Sequence, residues 1–192
     1  MIYFSYLYGN IRDRGIYDDG MKVKIIVVAT GEKVDALIRE GKGSEIPSLH
    51  ENWYFDLAKQ LKKMPNATGY ILVTEETPDI IEGCMIFQLA EKIKPVMAYL
   101  EVAPHNKTHK KKHDYVAGCL IAYAYKLSII YGVGVYAGLL NFRVGEEKKE
   151  DEQKLVNLYK NKYKAFQLGD SPILEISEEA GEMLIRKYLG EL

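Results

Sequence analysis

The chain has 192 residues, 47% apolar and 28% charged, with 26 Lys+Arg against 27 Asp+Glu for a formal charge of −1. A chain of this size buries roughly 70% of the surface its unfolded form exposes, so it needs no disulfide or metal staple, and disorder or a fibrous fold is excluded. Near-zero net charge also argues against wholesale electrostatic binding of nucleic acid or membrane and leaves only a local patch for such contacts. Cys84 and Cys119 sit in apolar runs (Cys84-Met85-Ile86-Phe87 and Cys119-Leu120-Ile121-Ala122) and read as free thiols packed as small hydrophobes, which suits a reducing, cytoplasmic setting. Lys126 interrupts the longest apolar stretch before it reaches the eighteen or so residues a membrane span needs, and the first residues lack a basic region leading into an apolar one, so no membrane association is expected.

In chain order, residues 1–20 are tyrosine-rich, close on Asp18-Asp19-Gly20, and read as an N-terminal extension of a single domain covering 1–192. Met21 to Thr30 is β-branched and stops at Gly31, which predicts the first core strand. Residues 31–47 are charged and Gly-interrupted, with no element assigned. Leu49, Trp53, Leu57, Leu61 and Met64 recur at four and three, which predicts a helix over 49–64 ending before Pro65. Three extended segments follow, Gly69 to Thr74, Ile80 to Leu89 and Pro95 to Ala103, and their short links imply antiparallel hairpins. Tyr115 to Tyr131 is apolar almost all round and predicts a helix buried against a sheet. Gly132 to Leu140 reads as a Gly-rich strand, 146–163 as an amphipathic helix, 166–168 and 173–176 as short strands, and Ser177 as the N-cap of a last helix running to Leu189. The order β, α, β, β, β, α, β, α, β, β, α predicts an α+β fold, with helices on both faces of a mixed sheet.

Chemistry concentrates between Tyr99 and Ser128. Lys107, Lys110, Lys111 and Lys112, against Asp114, give residues 105–114 a local charge of about +3 just ahead of the 115–131 helix. A helix start offers backbone N–H groups without intrahelical partners, and these bind phosphate with the help of the helix dipole. Small residues at Ala117 and Gly118 would let an anion approach.

Here the sequence resembles the GNAT superfamily of acyl-CoA N-acyltransferases, in which a strand Leu-x-Val-x-Pro leads through a turn Gln/Arg-x-x-Gly-x-Gly/Ala into a helix that holds the coenzyme A pyrophosphate. Leu100-Glu101-Val102-Ala103-Pro104 stands for the strand, Lys112-His113-Asp114-Tyr115-Val116-Ala117 for the turn, and residues 120–128 for the helix. Lys112 replaces the first Gln/Arg, and Tyr115 stands at the first glycine. Leu155 to Phe166 is similar to the family's later helix and its entry into the next strand, with Lys164 where the family often has glycine. The likeness covers roughly residues 21–189 and is specific only over 100–128. It implies a mostly antiparallel sheet in α/β/α layers and acetyl-CoA as cosubstrate, lying in a gap between the 95–103 and 132–140 strands. The implied contacts are Leu100, Val102, Lys110, Lys112, Tyr115, Val116, Ala117 and Gly118.

Acid–base chemistry sets what such a site must do. An amine of pKa near 10.4 is neutral in only about one molecule in 10³ at pH 7, and the collapsing intermediate must expel a thiolate. Tyr159 is the general acid that the resemblance implies, and Glu101, on the strand bordering the thioester, is the base candidate. Cys119 has no local base and is not expected to be a nucleophile.

His105, His109 and His113 invite a metal reading. The intervening lysines and the lack of a joining carboxylate argue against it, so no metal is expected. The expected activity is acetyl transfer to a small-molecule or peptide amine by direct attack in a ternary complex, with the chain acting alone or as a homodimer. The alternative is a GNAT-like module that binds acyl-CoA or a protein without turnover. Nucleic acid and membrane are not expected partners.

Overall fold

In the computed structural model, residues 20–49, 52–107, 111–146 and 148–190 are described. Residues 1–19 of the N-terminal extension, His109 and the expected phosphate contact Lys110 lie outside them.

Strand β1 (Met21–Val27) buries Val23 and Ile25 and exposes Lys22 and Lys24, the period-two pattern of a strand with one face in the core. It pairs antiparallel with β2 (Lys33–Glu40) from Met21↔Ile38 to Ile26↔Lys33. The charged stretch left unassigned by sequence therefore contains a core strand. A half-buried strand needs an apolar side chain only at alternate places, and Ala36 and Ile38 fill the two fully buried ones while Lys33, Asp35 and Glu40 stay in water.

The helix expected over 49–64 is confined to α1 (Leu57–Lys63). Asp56 is its N-cap, accepting the Lys59 N–H at 3.0 Å, and Asn52 upstream has φ 63°, which no α-helix accommodates. Trp53 and Leu57 are nonetheless both buried. The apolar stripe overstated the helix, and its first member, Leu49, is exposed.

Strands β3 (Ala67–Thr74), β4 (Ile81–Ala90) and β5 (Lys94–Val102) form the expected antiparallel meander. A two-residue strand, β6 (His113–Asp114), then pairs with β1 and leads into α2 (Val116–Tyr131), which is buried on nearly every side.

The strand expected over 132–140 is absent. That segment turns back on itself through left-handed glycines at Gly134 (φ 60°) and Gly138 (φ 76°), and the strand itself is β7 (Leu140–Arg143). Helix α3 (Lys149–Tyr163), strands β8 (Phe166–Gln167) and β9 (Ile173–Ile176), and helix α4 (Glu178–Leu184), which continues as a π-turn over Ile185–Leu189, complete the chain.

Among the described residues the strands form one sheet in the order β6-β1-β2-β3-β4-β5-β7-β9-β8, antiparallel except for β5 beside β7. Its larger apolar face packs against α2, α3 and α4, and its smaller face, with Ile71, Val73, Cys84 and Ile86, packs against α1 and Trp53. The α+β fold with helices on both faces is as expected.

Candidate functional site

The sheet opens where its strands run parallel. β5 and β7 pair only at Val96↔Asn141 and Met97↔Phe142, and beyond Met97 no further β7 partner is engaged. At the same point β5 carries a bulge: Ile86 faces Tyr99 while Phe87 faces Met97, leaving Ala98 as the extra residue. A bulge sharpens the local twist and bends its strand. The result is a cleft of about 320 Å³ between Met97–Leu100 on one side and Phe142–Glu146 on the other, closed by Phe55, Leu155 and Tyr159. The gap expected between the fourth and fifth core strands exists, with 140–143 rather than 132–140 as its second wall.

The anion site expected from the sequence falls at the start of α2. The first intrahelical bond runs from the Cys119 N–H to the Tyr115 carbonyl at 2.8 Å, and no side chain caps the helix, so the amides of Val116, Ala117 and Gly118 have no partner within it. Tyr115, at the position of the first motif glycine, has φ 73° and ψ −12°, the left-handed conformation that favours glycine. Its own N–H is taken by Asp114 Oδ1 at 2.8 Å, and its ring lies edge-on to Tyr188 at 5.0 Å. Burial would raise the Asp114 carboxyl, but Lys111 and the Tyr115 amide outweigh it and hold it below the usual carboxylate range. Lys112 is exposed. Gly118 is small for a reason other than anion approach: a Cβ there would lie 2.3 Å from the Tyr188 ring.

Among the remaining predicted residues, Leu100 and Tyr159 share the cleft, and the Tyr159 ring packs on Phe142 at 4.8 Å. Burial, with Glu146 nearby, pushes the Tyr159 hydroxyl up to about 12. Val102 packs on the larger core beside α2.

Glu101 points to the opposite face. Its buried carboxylate accepts the Tyr54 N–H at 2.5 Å, the Phe55 N–H at 3.0 Å and an ion pair from Lys107. It touches the cleft lining through Phe55, which meets Tyr99 edge-on at 5.2 Å.

His105 and His113, weighed from the sequence as metal ligands and set aside for want of a carboxylate, are joined beside this site by Glu82, which sequence reasoning missed. Glu82 is fully buried on β4, and its Oε2 is within 2.8 Å of His105 Nε2, 2.7 Å of His113 Nδ1 and 2.7 Å of Asn106 Nδ2. Burial would push this carboxyl up, but the bonds from Asn106, His105 and His113 outweigh it and leave it below the usual range. The available signal was a lone acid inside the apolar run Ile80-Ile81-Glu82-Gly83-Cys84.

No family model matches the chain, and no curated protein matches it. Among solved structures, it is similar to the KacTA–DNA complex at 13% identity and a TM-score of 0.50, over 79% of this chain and 99% of that one. It is also similar to a tyrosine-to-phenylalanine mutant of the toxin AtaT bound to the C-terminus of the antitoxin AtaR and acetyl-CoA, at 13% identity and a TM-score of 0.46, over 78% of this chain and 98% of that one. The GNAT-like fold expected from the sequence is the fold of this chain. The expectation that nucleic acid is not a partner gains no support from these neighbours, one of which is a DNA complex.

Proposed function

We propose that the protein is an N-acetyltransferase that moves an acetyl group from acetyl-CoA to an amine by direct attack. The observation that carries this reading is the divergence of β5 from β7 beside Tyr159, with the unpaired amides of α2 at the end of the same strand–turn–helix unit. The pantetheine arm would occupy the cleft along Leu100, and the pyrophosphate would meet the amides of Val116, Ala117 and Gly118 with Lys112 nearby. The C–N bond forms as the amine attacks the thioester carbonyl, and the C–S bond breaks as the thiolate leaves.

Tyr159 is the acid in this proposal. Its phenol is protonated through neutral pH and lines the cleft where the departing sulfur would lie, and burial, by pushing it up to about 12, makes it a weaker donor than a free tyrosine. The buried thiols of Cys84 and Cys119, both pushed up to about 12, are poor nucleophiles, which supports transfer without an acyl-enzyme. Glu101 enters in a different role from the base expected of it. Its carboxylate accepts the Tyr54 and Phe55 N–H groups and pairs with Lys107, so it acts here by holding the Tyr54-Phe55 turn against the cleft, while the amine proton leaves to water.

Thiol release from acetyl-CoA in the presence of a panel of amines tests the proposal. Turnover is expected with at least one amine. Tyr159→Phe should lower kcat by about 10²–10⁴-fold with little change in KM. Coenzyme A binding without amine-stimulated release, unchanged by Tyr159→Phe, would instead establish a binding module. For Glu101→Gln, the rate should still rise with pH as free amine accumulates; loss of that rise would restore Glu101 as the base.

A further inference from the structure

We propose that Glu82, His105 and His113 form a binding site for one divalent transition-metal ion, zinc by preference, which staples the lysine loop ahead of α2 to the sheet. Such a site is independent of acetyl transfer.

Three observations converge on it. The first is a built distortion. Leu72 pairs with Gly83 but Val73 pairs with Ile81, so Glu82 is the extra residue of a β-bulge, the device by which a strand re-aims a side chain. The second is uneven satisfaction. Oε2 of Glu82 takes bonds from His105, Asn106 and His113, whereas Oε1 of the same fully buried carboxylate has no hydrogen-bond partner among the described residues. A buried anion left half unsatisfied is costly, and a cation sharing the carboxylate relieves it.

The third is the donor set. One carboxylate and two imidazoles offer ligand atoms that all lie within 4.8 Å of one another. Two His and one Glu with an open fourth position is a recurrent zinc arrangement, and imidazole disfavours magnesium and calcium. Zinc bonds of about 2.0–2.2 Å in tetrahedral geometry put neighbouring ligands about 3.3 Å apart. The present contacts of 2.7 and 2.8 Å open by about half an ångström, and the widest spacing of the set, up to 4.8 Å, closes toward the same value, to admit the ion.

Two of the lysines expected to repel a cation are paired elsewhere. Lys107 pairs with Glu101, and Lys111 with Asp114 at 2.9 Å. Supporting bonds already brace the ligands: Asn106 Oδ1 accepts the His113 N–H at 2.9 Å, and the His105 carbonyl accepts the Lys112 N–H at 3.0 Å. His105 is half-exposed and gives the ion its way in and its open position.

The full chain, stripped with a chelator, is titrated with zinc and with cobalt, and bound metal is counted by mass spectrometry after gel filtration. One equivalent is expected, with a tetrahedral cobalt spectrum and a rise in thermal midpoint on adding zinc. Glu82→Gln keeps the shape of the side chain, and His105→Ala alters the most exposed of the three ligands. Each should weaken zinc affinity about tenfold or more and remove the thermal shift. Less than stoichiometric zinc in the wild-type chain, or uptake unchanged in His105→Ala, would overturn the proposal and leave the cluster a hydrogen-bonded brace. If Glu82→Gln does not fold, His105→Ala alone decides.

Discussion

Tyr115 and Lys164 each hold a left-handed backbone conformation, with φ of 73° and 56°, at the two places where the resembled family favours glycine. At both places the backbone adopts the conformation that glycine enters most readily. A side-chain-bearing residue there costs about 1–2 kcal/mol, partly offset because glycine loses more freedom on folding. Lys164 is exposed and ends α3, where the Lys164 N–H bonds to the Tyr159 carbonyl, so Lys164→Gly should stabilise the protein by about 0.5–1 kcal/mol. A higher urea midpoint at unchanged slope checks this; a lower one contradicts it. A second prediction concerns Glu45, whose carboxylate takes two bonds from Arg39 at 2.5 and 2.9 Å and one from the Lys42 N–H at 2.8 Å. The Arg39 bond first and the Lys42 amide second lower its pKa from 4.5 to about 2. A depressed carboxyl contributes stability above its unfolded value and loses it as pH falls through the folded one. The pair is a third exposed, so the contribution is about 0.5–1 kcal/mol. Denaturation of wild type and Glu45→Gln should differ by that amount at neutral pH, and the difference should vanish as pH falls from 4.5 to about 2. A constant difference would show that Glu45 acts through packing.

Elements were legible where one local signal dominated. The β3–β5 meander and the buried α2 followed from apolar runs bounded by turn residues, and tertiary packing agreed with them. Strand β2 was hidden because its solvent face carries most of its residues' charge, and α1 was overextended because Trp53 packs like a helical residue from a turn. The 132–140 segment misled for a third reason: its apolar residues alternate, but its glycines serve a turn in which Val133 and Val135 face water. Glycine position also carries an element-scale prediction. Gly118 lets α2 approach the C-terminal turn, where the Tyr188 ring is wedged between Tyr115 and Tyr163. Gly118→Ala should cost about 1–3 kcal/mol by overpacking, read from the shift in denaturation midpoint. A neutral result would mean that Tyr188 can yield its place.

At the scale of the molecule, the candidate site is a consequence of one parallel pairing in an otherwise antiparallel sheet. Because β5 and β7 part after two residue pairs, the core opens into a cleft without losing the α2 face that supports it. The start of α2 and the placing of Tyr159 on the helix that lines the cleft were legible, since each rests on a local pattern. Sequence reasoning missed the bond network that turns Glu101 toward the Tyr54-Phe55 turn and the bulge that brings Glu82 to His105 and His113, because those depend on strand register and residues far apart in the chain. The central claim is that the cleft and the α2 amides together hold coenzyme A. Isothermal titration of the full chain with coenzyme A, and in parallel with pantetheine, tests it most directly. Saturable one-to-one binding of coenzyme A is expected, with markedly weaker binding of pantetheine, which lacks the diphosphate; no binding of coenzyme A by the folded protein, or equal affinity for the two, would contradict it.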